Sequence, residues 1–474
     1  MKCPESGVAS LTNDITEKHL VDEEIQLFLA AAKETIALIN EFHSNKELPV
    51  EEITQTVIEN LEIKKIKAKT ISQWFFTSSG PKWHREFSNL NLVRKYMTHM
   101  IEKKIIDLQS LLSDTDKYHD LSMDEKLKKS VLITENLVLF PILDCICKNF
   151  SMEIDNRELI RAYIDYSTPF KSSTYIKEWH TPLLGFTSDL EYFEFNNDFS
   201  VNKFNDDLKN AFNNTESFRF INEYSTEELC ESTHVITWKK EFSKKEKLTR
   251  DDHTELLYLL IFSLRITNTS DVVAKFSYKR PRKNISYSGN GGTWHFDTSM
   301  PHWFATPTDF SNEDLELARE TFQRLVELKN GKGFKSLFNV VVNRYLSSLS
   351  RHSQEDTVID LTICLESMLL FGVKDELTFK LRLRGAVLLN NRDPIEIKKL
   401  LGQMYDDRSK IVHDGKKLLE LRRGNHSEVI HEYRVVTEQI IIAYIKRSKE
   451  FSSIHNINDH IDDLCFHCGQ QLGS

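Results

Sequence analysis

No stretch of this 474-residue chain approaches the roughly 20 consecutive apolar residues that cross a bilayer. Its most apolar runs, LLYLLIFSL at 256–264 and IIIAYI at 440–445, have the size of core segments. The amino terminus, MKCPESGVASLTNDITEKHL, has neither the cationic start nor the apolar stretch of a secretory signal. A cytoplasmic protein without a membrane partner is therefore expected. The seven cysteines are odd in number and scattered, which argues for reduced thiols over a disulfide framework. SYSGNGGTWHFD at 286–297 is glycine-rich, but it lacks the Lys-Ser/Thr ending of a P-loop and the spacing of a dinucleotide fingerprint, so it reads as a turn. Positive charge is in deficit: 62 Lys and Arg against 71 Asp and Glu give a net −9. Any nucleic-acid contact must then come from local basic clusters and not from a global field. Repeats of fixed period and low-complexity tracts are missing as well.

What is present is an ordinary folding composition, 40% hydrophobic and 28% charged. The length allows two to four domains at roughly 100–200 residues each. Residues 1–150 read as a helical domain, opening with VDEEIQLFLAAAKETIALINEF, where Ile25, Phe28, Leu29, Ala32, Ile36 and Ile39 recur at helical steps. Pro141 is expected to kink or divide a later helix. Residues 151–310 are a mixed α+β central domain, with THVITWKKEF and DVVAKFSYK suited to strands. From 311 to 455 the helical period returns in segments separated by turns at Gly372, Asn390, Asn391, Pro394 and Gly424, the pattern of a helical bundle. Residues 456–474 form a tail. The fold class is thus mainly α.

The chemistry concentrates in LLGQMYDDRSKIVHDG at 400–415, where four residues separate Arg408 from His413. Metal-free cleavage of RNA needs a group to take the 2′-OH proton, a group to protonate the departing 5′-oxygen, and positive charge for the phosphorane between them. Histidine supplies the first two, since it titrates near neutral pH, and the arginine fork supplies the third. The spacing recurs in Arg94 and His99, which lie on an amphipathic helix without comparable companions and read as an ordinary helix face. On a helix a five-residue step turns about 500°, leaving the two side chains about 140° apart. A bend, a helix end or a second copy of the chain has to bring them together. Gly415 is placed as a helix stop.

The segment from Asn343 to Gly415 resembles the HEPN superfamily, and within it the ApeA-like HEPN domains. The resemblance rests on Leu365-Glu366 within a helix, the Leu-x-x-Lys-Leu-x-x-Arg-x-Ala stretch from Leu377 to Ala386, and a closing block filled by Tyr405, Arg408, Ser409, Val412 and His413. With flanking helices it extends over 311–450. It implies a HEPN-type helical bundle that forms a homodimer and cuts RNA as a metal-independent endoribonuclease, needing no cofactor for catalysis, in prokaryotic anti-phage defence. His413 would then be the acid/base group, Arg408 the phosphate-binding charge and Ser409 a polar helper. Glu366 would brace Arg408, and Tyr405 belongs to the same block. Many relatives have Gly directly after the His; here Asp414 intervenes, where a carboxylate can orient the imidazole, raise its pKa or repel RNA.

Two basic clusters are candidates for RNA guidance: Lys239, Lys240, Lys244 and Lys245 beside Trp238, and Lys279, Arg280 and Arg282 beside Tyr278. In the tail, Cys465-x2-Cys468 followed by Gly469 has the shape of a zinc knuckle. Structural zinc takes four ligands, so His455, His460 or a second subunit would have to complete the site. Two competing readings are a non-catalytic HEPN-like dimerisation or RNA-binding protein, and a DNA-binding regulator in which IKAKTISQWFFTSSG at 66–80 is a helix-turn-helix.

Overall fold

The computed structural model describes residues 22–42, 50–60, 62–71, 86–103, 105, 122–171, 174–213, 226–243, 250–274, 276–279, 293–295, 307–330, 335–422, 426–451 and 454–471. They form a mostly helical molecule with a small sheet region in the middle. Among them, no helix is long and apolar enough to cross a membrane.

Helix α1 (Glu23–Phe42) follows from its periodicity: Ile25, Phe28, Leu29, Ala32 and Ile39 are buried, and Ile36 packs at the edge of the same core. Glu23 and Glu24 in its first turn complement the helix dipole. It packs against α2 (Asn91–Glu102), α3 (Phe140–Asn149) and α4 (Asn156–Lys171). At the centre the Phe28 ring stacks on Tyr163 with centroids 4.2 Å apart, and the Tyr96 hydroxyl donates to that of Tyr163 at 2.9 Å. The core reaches past residue 150, since Leu159, Ile160 and Tyr163 of α4 belong to it. Pro141 divides its helix: a π-helical turn, Glu135–Leu139, precedes it and absorbs the break in the hydrogen-bond ladder.

The helical reading of this region fails over 50–71. There β1 (Val50–Glu59) and β2 (Glu62–Ile71) pair along their whole length as an antiparallel hairpin. Ile53, Thr54, Thr56, Val57 and Ile58 are β-branched and favour the pleated backbone. Asn60 takes φ 51° in the two-residue turn, as Asn tolerates. The strand also runs through IKAKTI, so the first part of the proposed helix-turn-helix is extended; residues 72–80 of that motif lie outside the described residues.

In the central region six antiparallel strands run in the order β5-β6-β7-β3-β8-β9. They are β3 (Thr174–Leu183), β5 (Tyr192–Glu194), β6 (Phe199–Lys203), β7 (His234–Ser243), β8 (Phe276–Lys279) and β9 (Thr293–His295). Two-residue strands β4 (Phe186–Thr187) and β10 (Thr308–Asp309) pair separately in parallel. Helix α5 (Asp206–Asn213) holds the β1–β2 hairpin, and α6 (Arg250–Thr267) joins the core of the sheet.

The carboxy-terminal bundle comprises α7 (Asn312–Asn330), α8 (Lys335–Ser350), α9 (Gln354–Leu369), α10 (Leu377–Leu388), α11 (Pro394–Asp414), α12 (His426–Arg447) and α13 (Ile454–Gln471). Ser311 caps α7, accepting from the Asp314 N–H at 3.2 Å. α10 and α11 approach closely because position 385 is glycine: a Cβ there would stand 2.3 Å from Leu401 Cδ1. One continuous core runs from Trp179, Phe199 and Trp238 of the sheet, through Phe310 and Phe322, to Leu365, Met404 and Ile440 of the bundle. The packing therefore crosses residue 310 without a break.

Candidate functional site

Helix α11 is fixed at both ends by its own sequence. Asp393 caps it, accepting from the Ile395 N–H at 2.8 Å, and Pro394 occupies the first turn, where its missing N–H costs nothing. At the far end Gly415 takes φ 63°, and the Lys416 N–H closes back on the Lys410 carbonyl at 3.3 Å. Between these ends Ile397, Leu401, Met404, Asp407 and Ile411 form the buried stripe.

Arg408 and His413 both lie within this unbroken helix. Helical geometry separates them by about 7.5 Å along the axis and about 140° around it. Neither a bend nor the helix end brings them together. At about 100° per residue, Tyr405, Ser409 and Val412 occupy the face between the two. Tyr405, Arg408 and Ser409 are half-buried, and His413 and Val412 are exposed, the valine at 47%. The imidazole of His413 has no hydrogen-bond or ion-pair partner among the described residues.

Arg408 faces Glu366 of α9, with Nη2 3.9 Å from Oε2. Its Nε is buried without an acceptor among the described residues. Burial raises the pKa of Glu366, and the Arg408 charge works in the opposite direction. The Tyr405 hydroxyl is raised too, first by burial and then by the Glu366 carboxylate. Tyr405, Glu366 and Arg408 thus form one electrostatic unit.

The neighbouring acids have other occupations. Asp407, at 1% exposure, accepts from Arg422 Nε at 2.8 Å and from the Tyr433 hydroxyl at 2.7 Å. Asp414 stands 3.8 Å from Lys416 Nζ, and Asp406 is exposed. The Asp407–Arg422–Tyr433 group, which locks the back of α11, is not among the sequence candidates. Its signal is a charged residue standing on the apolar period between Met404 and Ile411.

The other candidates are dispersed. Arg94 is paired with Asp124 at 2.5 Å, and His99 sits half-buried in the last turn of α2. Lys239 and Lys240 are exposed near the end of β7, the latter 3.5 Å from Asp198. Trp238 is corrected: strand alternation turns it into the core at 2% exposure, so it offers no surface to a base. Lys244, Lys245, Arg280 and Arg282 lie outside the described residues, as do the side chains of Lys279 and Tyr278, whose backbone is in β8. The backbone of Cys465 and Cys468 is helical in α13 and not a knuckle turn. Cys465 is half-buried, and His460 contacts the Phe451 ring and Arg447. The side chains of His455, His467 and Cys468 lie outside the described residues, among which no group of three or more His, Cys, Asp or Glu is placed to hold a metal.

Comparison with models of known families, with characterised proteins and with solved structures finds no match to this chain.

Proposed function

We propose that the chain is a metal-independent endoribonuclease of the HEPN type, serving as a toxic effector in prokaryotic anti-phage defence. The observation that carries this reading is the presentation of Arg408 and His413 at one end of α11, the imidazole exposed and the guanidinium held by a single long ion pair. The 3.9 Å contact is too long for a hydrogen bond and leaves the Nη donors for phosphate oxygens. In a two-fold dimer packed on the Tyr405–Ser409–Val412 face, Arg408 of one copy would meet His413 of the other around one phosphodiester. His413 would take the 2′-OH proton and later protonate the 5′-oxygen, Arg408 would stabilise the phosphorane, and Ser409 would position it. The products are a 2′,3′-cyclic phosphate and a 5′-hydroxyl. Glu366 restrains the guanidinium. The rest of the chain, of which the central sheet shares a core with the bundle, would report a signal to it or hold it inactive.

The test is incubation of purified protein with total RNA, with and without chelator, followed by end-group analysis. Cyclic-phosphate ends that persist in chelator are expected from the native chain, and none from His413→Ala or Arg408→Ala. RNA bound but uncut by the native chain would make this a non-catalytic binding protein, and undiminished cleavage by His413→Ala would remove the catalytic assignment.

A further inference from the structure

We propose that the β1–β2 hairpin is an arm that takes the phosphate backbone of single-stranded RNA along one face. The proposal rests on the ribonuclease reading but concerns a different part of the molecule. The register places Lys65, Lys67 and Lys69 opposite Thr56, Thr54 and Glu52, so all three lysines share one face of the ribbon. All three are exposed and make no ion pair among the described residues. The acids Glu59 and Glu62 face each other on the opposite side and engage Lys64, at 2.7 and 3.9 Å. The ribbon therefore sorts its cations: one face carries three unengaged lysines with a single acid, Glu52, across from Lys69, and the other carries Glu59 and Glu62 with the one engaged lysine.

Lysines scattered on an edge strand serve to discourage strand addition, but that role does not require them on one face at a constant interval. Alternate strand residues stand about 6.8 Å apart, comparable with the step between successive phosphates of an extended strand. Three such cations span about 14 Å, a ladder that an irregular acidic protein surface would not match. The arm is also held firmly at its turn. Asn210 of α5 accepts from the Ile58 N–H and donates to the Ile58 carbonyl, both at 2.7 Å, Asp206 accepts from the Asn60 N–H at 2.7 Å, and Ile58 is buried. Binding would therefore not require the ribbon to be ordered first. In a chain of net charge −9, such a local ladder is the form a phosphate contact has to take.

The full-length chain carrying His413→Ala, used so that cleavage does not interfere, is titrated by fluorescence anisotropy against a 2′-O-methyl oligouridylate over a range of salt. Combining Lys65→Gln, Lys67→Gln and Lys69→Gln is expected to weaken binding and to make the log–log salt slope shallower by about 2, at roughly 0.7 per released phosphate contact. Lys64→Gln leaves the slope unchanged, and the triple Lys→Arg variant restores it. An unchanged slope in the triple glutamine variant overturns the proposal, and so does a parent chain that binds no oligonucleotide. Cleavage is measured separately with His413 intact. Cleavage alongside an unaltered slope removes the arm alone; binding through the arm without cleavage removes the nuclease alone.

Discussion

At the scale of single residues, the site is a matter of which charges are satisfied. Asp407 is engaged by Arg422 and Tyr433, both at Oδ2, whereas Arg408, its neighbour, has one long contact with Glu366. Burial favours the neutral form of Glu366, so ionising it costs stability as pH rises through its raised folded pKa, and Arg408 limits that cost. Arg408→Ala should therefore raise the Glu366 pKa further. It should destabilise the chain by about 1 kcal/mol at neutral pH, as expected for a half-exposed pair, and the loss should shrink as pH falls through that pKa. Carboxyl NMR shifts and urea midpoints would check this; an unmoved Glu366 titration would show the two groups to be electrostatically independent. The sequence makes Arg408, Glu366, His413 and the Gly415 stop legible, because residue type and spacing encode them. It leaves open which acid takes Arg408, because Asp406, Asp407 and Asp414 are all nearer in the chain than Glu366. That choice is made by helix packing, which brings α9 beside α11.

At the scale of elements, the long amphipathic helices are readable because a periodic apolar stripe has one low-energy use. α1, α7, α8, α9 and α12 begin and end within a few residues of their periodic segments. The hairpin at 50–71 is less legible, because long polar side chains in EIKKIKAKTI suit a helix as well as a strand. The deciding features are the β-branched run on β1, the turn at Asn60 and the docking of that turn on α5. The basic ladder goes unrecognised in the sequence for the same reason, since its common face exists only once the period is two. Removing the docking should expose this dependence. Asn210→Ala deletes both hydrogen bonds to Ile58, at about 1 kcal/mol each, and should release the hairpin before the rest of the chain unfolds. Hydrogen exchange at the Ile58 amide should rise by at least tenfold while the amides of α11 keep their protection. Unchanged exchange at Ile58 would mean that the hairpin stands without α5.

At the scale of the whole molecule, the sheet and the bundle share a core that is continuous across residue 310, and a buried ionic group ties its two sides. Arg434 of α12 donates to Asp271 at 2.5 Å and to the Ser270 carbonyl at 2.6 Å, both in the segment after α6, and to Glu438 at 2.8 Å. Glu438 also accepts from Thr269 at 2.6 Å and from the Tyr345 hydroxyl at 2.5 Å. Composition and pattern separate residues 151–310 from the bundle, because strands and helices look different in sequence, but texture says nothing about which surfaces share a core. Arg434→Ala should make the coupling visible. It leaves Glu438 buried with its hydroxyl donors but without a counter-charge, at a cost of about 3–5 kcal/mol. Burial already raises the pKa of Glu438 against the pull of Arg434, so the variant's pKa should be higher still. The protonated carboxyl needs no cation, so the variant's deficit should be largest at neutral pH and above, and should diminish as pH falls through the raised pKa. Calorimetry across that range checks both sign and scale. If sheet and bundle are one unit, the native chain gives one transition for both, and in Arg434→Ala their unfolding separates or shifts together to lower temperature. A bundle whose midpoint is indifferent to Arg434 would instead be an autonomous domain, merely joined to the sheet.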